Sequence, residues 1–159
     1  MPFKLKPLYF IRILILAICF SWVMGYAVAQ NSEDDIIGVW ITQSKESMVE
    51  VSKSGNTYIG KILWLKFPNS AKTGKPKTDI KNPDEKLRSR SIQGLLLMKD
   101  FKFSAKDNVW DNGTIYDPKS GSTYKCKATL ADRNTLNVRG YVGASWMGLG
   151  RTEIWKRVK

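Results

Sequence analysis

The 159-residue sequence contains no histidine. That absence excludes Ser-His-Asp and Cys-His catalysis, the common histidine-bearing zinc sites, and the side chain that ordinarily switches charge near neutral pH. Cysteine is nearly as scarce, with Cys19 and Cys126 alone. Cys19 lies in an apolar leader, so the mature part keeps one thiol and forms no intramolecular disulfide. Its core has to supply stability unaided. Acidic residues number 14 against 26 Lys and Arg, a formal net charge of +12.

One long hydrophobic run is present, at residues 11–28. Lys4, Lys6 and Arg12 precede or interrupt it, and it ends in Ala27-Val28-Ala29. A basic start, an apolar middle and an A-x-A ending read as a secretory signal peptide cleaved after Ala29. A membrane-spanning helix, which needs roughly 20 apolar residues, is the alternative. Ile18 before Cys19 and the apolar stretch beyond it argue against lipidation. The expected location is therefore the periplasm or the extracellular space.

Residues 30–159 are the size of one domain, typically about 100–150 residues. Three basic and no acidic residues lie in the first 29 positions, which leaves the mature part at +9. This charge favours an anionic ligand or an anionic envelope surface. Export makes nucleic acid the poorest match, and no nucleic-acid partner is expected.

The mature chain alternates at period two in segments of about six to ten residues separated by turns, the pattern of short antiparallel strands. In one segment Tyr124, Cys126, Ala128 and Leu130 face one way while Thr and Lys face the other. Cys126 then reads as a small core residue rather than a nucleophile. Asp132-Arg133-Asn134 turns the chain into Leu136, Val138, Gly140 and Val142, and Ser54-Gly55-Asn56 joins a second hairpin. Further strands are expected at 38–43, 95–103, 113–116 and 151–158. About eight strands in sequence order predict an all-β fold, an antiparallel up-and-down barrel whose closure removes exposed edges. A two-sheet sandwich is the alternative.

Residues 67–93 break the pattern, with Pro68, Pro76 and Pro83 and little apolar periodicity. Connections longer than about 12–15 residues are often lids or binding loops. Asn82-Pro83-Asp84-Glu85 reads as a helix start, so one short helix is expected at 83–88.

Gly38-x-Trp40, Tyr58-x-Gly60-Lys61-Ile62, Asp79-x-Lys81-Asn82-Pro83-Asp84, Leu87-Arg88-x-Arg90, Trp110-x-x-Gly113-x-Ile115-Tyr116-Asp117-Pro118, Gly121-x-x-Tyr124, Leu136-x-Val138-Arg139-Gly140-Tyr141 and Gly150-Arg151-Thr152-x-x-Trp155 occur in this order. Together they resemble the secreted bacterial domain-of-unknown-function family 2147 over essentially the whole mature chain. The resemblance implies a small lipocalin-like barrel and no established activity. Gly38-x-Trp40 is also similar to the lipocalin and fatty-acid-binding superfamily, where an Arg from the barrel end packs on the first-strand Trp. That likeness implies structural closure by Trp40 with Arg151 or Arg157.

Two readings of the long loop follow. As a lid over residues 76–93, it would present Arg88 and Arg90 to an anionic group, oriented by Asp79, Asn82 and Asp84, because the planar Arg fork suits carboxylate or phosphate. As a structural connection, Asn82 and Asp84 cap the helix while Asp79 pairs with a nearby base. Trp110, Tyr116 and Tyr124 are the candidate ligand-contacting aromatics. Trp146 and Met147, in a glycine-rich connection, suggest a portal or surface contact.

Asp111-Asn112-Gly113 lacks the spacing of a calcium loop and reads as turn and bulge chemistry. Neither metal nor cofactor is called for. The leading expectation is a monomeric, non-enzymatic barrel that binds a small amphiphilic or anionic ligand. A solid-core envelope interaction domain is the alternative. Third comes a carboxylate-based hydrolase, although nothing selects a pair among Asp79, Asp84, Asp111 and Asp117.

Overall fold

The computed structural model describes residues 31–144 and 148–158. The expected signal peptide, with Cys19, and the Trp146-Met147 pair lie outside the described residues. Eight strands run in chain order: β1 (Gly38–Ile41), β2 (Ser47–Ser54), β3 (Thr57–Leu65), β4 (Leu96–Ser104), β5 (Val109–Asp117), β6 (Ser122–Asp132), β7 (Thr135–Tyr141) and β8 (Gly150–Arg157). Each pairs antiparallel with its sequence neighbour, and β8 returns to β1, so the barrel is closed.

Register decides which side chains enter the barrel. Trp40 opposes Val49, Leu136 opposes Trp155, and Gly113 opposes Cys126. The alternation read around Cys126 is therefore the inward face of β6. Trp40, Trp110, Trp155, Phe101, Met98, Leu136, Val49, Val51 and Cys126 are essentially inaccessible. Large aromatics fill the interior toward one end, here called the lower end, where the β2–β3, β4–β5 and β6–β7 turns gather.

Two expectations need correcting. The strand expected at 113–116 begins at Val109, because a bulge between Trp110 and Gly113, with Asn112 at φ 61°, lets the pairing continue through the polar Asp111-Asn112 pair. The helix expected at 83–88 is one 3₁₀ turn, Glu85–Leu87. Its cap is Asp84, which accepts from the Lys86 amide, while Asn82 Oδ1 accepts from the Asp84 amide one step earlier. Two successive side-chain turns consume the residues that would have begun an α-helix.

A second 3₁₀ turn, Glu33–Ile36, plugs the lower end. The indole nitrogens of Trp110 and Trp40 donate to the Glu33 and Ile36 carbonyls, both at 2.9 Å. Lys53 pairs with Glu33 and Asp34 at 2.8 and 3.1 Å. Among the described residues, plug and barrel together run from Asn31 to Val158.

Candidate functional site

The long β3–β4 connection folds back on itself. Asn69 bridges Pro76 and Thr78 bridges Ser91, both antiparallel, which makes the 67–93 stretch a strap with its own backbone pairing. At its centre the Asp79 side chain is wholly buried. Tyr116 donates its hydroxyl to Asp79 Oδ1 at 2.6 Å, Asn82 Nδ2 donates to Oδ2 at 2.8 Å, and Arg90 donates to Oδ2 through Nε and Nη2 at 2.9 and 2.8 Å. Arg90 also lies 5.7 Å from the Tyr116 ring centre.

Burial pushes the Asp79 carboxyl up, but hydrogen bonds from Tyr116, Asn82 and Arg90 outweigh it and hold it below its ordinary 3.8. The Tyr116 phenol is raised, by burial first and by Asp79 second. Arg88 donates Nε to the Asn82 carbonyl and pairs with Glu85, both at 2.9 Å. Asp79, Asn82, Arg90 and Tyr116 thus come together, with Asp84 and Arg88 beside them. Their polar groups are spent largely on one another. Tyr116 faces outward, since its neighbour Ile115 opposes the inward Tyr124, so this cluster clasps the strap to the outer side of β5. Gly121 completes the fit: at φ 77° it lets the Lys81 carbonyl approach where any Cβ would collide.

The other two candidate aromatics lie elsewhere. Trp110 is buried near the lower end, stacked obliquely on Phe103 at 4.8 Å. Tyr124 points into the upper barrel and is half-buried, as are the inward Ile115 and Glu153. Below them Met98, Cys126, Val138 and Trp155 form an apolar floor. Glu153 Oε2 accepts from the Trp155 indole and Oε1 meets Arg151 Nη2, each at 3.3 Å. Lys119 and Glu46 pair at 3.0 Å from the β5–β6 and β1–β2 connections, tying two of the upper loops together. The inward face of the upper barrel thus carries a tyrosine and one carboxylate above an apolar layer, with the exposed Arg151 at its rim. Sequence reading missed Glu153, although it lies two residues before the inward Trp155.

At the lower end the Arg157 guanidinium sits 4.2 Å from the Trp40 ring centre. It donates to the Asp35, Ile37 and Arg133 carbonyls at 2.6, 2.7 and 2.8 Å. The profile of an uncharacterized protein conserved in bacteria (DUF2147) matches residues 38–157, from the glycine before Trp40 to this arginine. The chain belongs to that family.

The DUF2147 barrel is also similar to a solved structure described as "Protein HP1028 from the human pathogen Helicobacter pylori belongs to the lipocalin family". The two share 25% sequence identity, covering 77% of this chain and 82% of that one, with a TM-score of 0.64. Comparison with curated proteins yields no match. Within this family frame Arg157 is the arginine on Trp40. Arg151, 82% exposed, stands at the opposite, upper end beside Glu153.

The acids considered for hydrolysis have separate local duties. Asp117 accepts from the Lys119 amide and Ser120 hydroxyl, Asp111 from the Asn112 amide, and Asp84 caps its turn. Among the described residues no cluster of three or more Cys, Asp or Glu is placed to hold a metal ion. Cys126 is buried, and burial with the nearby Asp111 charge pushes its thiol up to about 12.

Proposed function

We propose that this DUF2147 protein is an exported, monomeric binding protein that holds one small amphiphile in the upper part of its barrel. The observation that carries the reading is the gradient of burial along the inward face of β8. Trp155 is 2% exposed, Glu153 is half-buried, and Arg151 is largely exposed. An apolar tail resting on Met98, Val138 and Trp155 would leave its polar head level with Arg151, Glu153 and Tyr124. A guanidinium there favours a carboxylate or phosphate head. The lipocalin description of the structural neighbour supports small-molecule binding as the class. The hydrogen-bonded state of Asp79, Asp84, Asp111 and Asp117 supports binding over turnover.

A solid-core interaction domain is the second reading, favoured by the complete burial of Trp40, Trp110 and Trp155. The two separate in a titration of residues 30–159 with single-chain fatty acids and lysophospholipids, followed by thermal shift and calorimetry. A binder gives saturable, one-to-one stabilisation that Ile115→Trp, which fills the upper interior, abolishes without lowering the unliganded melting temperature. No stabilisation by any amphiphile, or stabilisation untouched by Ile115→Trp, would move the assignment to the interaction domain.

A further inference from the structure

The upper end of the barrel carries a second pattern, independent of what the interior holds. Among the described residues nine large hydrophobics are exposed, and all but Ile37 and Ile154 lie on the upper end or its connections. Phe67, Ile80 and Leu87 belong to the strap, Trp64 to the end of β3, and Val142 and Leu149 to the β7–β8 connection. Their exposures run from 39% to 68%. Scattered exposed hydrophobics are ordinary, but a concentration on one end marks a contact surface.

Cations interleave with these groups. Lys66 precedes Phe67, Lys81 follows Ile80, and Leu87 lies between Lys86 and Arg88. The amines of Lys66 and Lys77 lie 5.4 and 5.9 Å from the Phe67 ring centre. Residues 66–93 hold eight Lys and Arg against Asp79, Asp84 and Glu85, of which Asp79 and Glu85 are already paired with Arg90 and Arg88. At the lower end the acids Glu33 and Asp34 are paired with Lys53, and Arg157 lies beside Asp35. The strap by contrast carries a net positive charge, and its exposed apolar groups sit among these cations.

We infer that this end docks on an anionic lipid bilayer, with Phe67, Ile80 and Leu87 entering the headgroup boundary and the flanking lysines meeting lipid phosphates. Interfacial binding needs both parts, buried apolar area and attraction to anionic lipid. A protein partner would be expected to cover such groups with matched apolar area; Phe67, Ile80 and Leu87, each beside a cation, suit a fluid anionic interface better. The clasp supplies rigidity. Asp79 is buried while the adjacent Ile80 is 68% exposed, so the hydrogen bonds that fasten Asp79 to Tyr116 also hold Ile80 outward. Preorganised display lowers the ordering cost of binding.

The inference goes beyond the ligand reading and is tested apart from it, by sedimenting residues 30–159 with vesicles of phosphatidylcholine alone or mixed with phosphatidylglycerol. Binding is expected on the mixed vesicles only, weakening as salt rises. Replacing Phe67, Ile80 and Leu87 together by Ser should weaken it at least roughly tenfold, and Lys66→Glu with Lys77→Glu should do the same. Ile37→Ser and Ile154→Ser should leave it unchanged, and so should Ile115→Trp, which tests the interior. Circular dichroism and melting of each exposed-site variant establish that it is folded. Absence of binding, equal binding to phosphatidylcholine alone, or equal loss from the Ile37 and Ile154 variants would overturn the inference. So would mixed-vesicle binding that the triple Ser variant retains in full, since that would describe a general polyanion site.

Discussion

The Arg157 guanidinium carbon lies 4.2 Å from the Trp40 ring centre, while its nitrogens reach three backbone carbonyls. One side chain thus joins β8, the β6–β7 turn and the Glu33–Ile36 plug over a fully buried indole. Arg157→Ala removes the ring contact and these bonds together, and should cost about 2–4 kcal/mol of unfolding free energy. Arg157→Lys should recover only part of it, because a single ammonium cannot reproduce the planar fork. Denaturant melts of both variants check this, and an unchanged midpoint in Arg157→Ala would contradict it.

Asp79 and Arg90 hold the strap. Asp79→Asn keeps the shape but removes the charge that Arg90 faces, at an expected cost of about 2–4 kcal/mol. The loss should be local. Limited trypsin digestion should cut the variant faster at Lys77, Lys81 and Arg88, while amides in β6 and β7 keep their hydrogen-exchange protection.

The same clasp sets a pH dependence. The Asp79 carboxyl is held below its ordinary 3.8, so its contribution is complete above that pH and disappears as pH falls through the lower folded value. Tyr116 is raised above its ordinary 10.0, so its contribution is complete below pH 10 and disappears as pH rises through the higher folded value. Stability from the strap should be flat between these limits. In Asp79→Asn the acid limb attributable to this carboxyl should vanish, which acid melts of the two proteins measure.

Much of the barrel was legible because period-two alternation is local information. Tyr124, Cys126, Ala128 and Leu130 announce one inward face without reference to anything else in the chain. The long connection was not legible in the same way. Asp79 and Tyr116 are 37 residues apart, and nothing in either segment says that one lies beneath the other. Asn82 and Asp84 signal a cap equally well for an α-helix and for the single 3₁₀ turn they form. Arg151 and Arg157 both alternate with Trp155; only the direction of β8, known once the barrel closes, places Arg157 on Trp40 and Arg151 at the other end. Glu153 escaped notice because the inward set of β8, Arg151, Glu153, Trp155 and Arg157, is mostly charged and shows no apolar alternation.

Cys126 should behave as a core atom. Its thiol is buried and pushed up to about 12, so almost no thiolate exists at pH 8. Ellman's reagent should leave it unmodified in the native protein and label one thiol per chain of residues 30–159 in denaturant. Rapid native labelling would show that the β5–β6 region opens readily.

Whether the upper barrel holds a small molecule separates a binding protein from a solid-core interaction domain. Native mass spectrometry of residues 30–159, recovered from an exporting bacterium without detergent, tests it most directly when followed by denaturing release. The prediction is a one-to-one adduct of an acidic amphiphile, lost in Ile115→Trp. A bare mass in both proteins, with no amphiphile raising the melting temperature, would contradict the binding function and leave the solid-core interaction domain in its place.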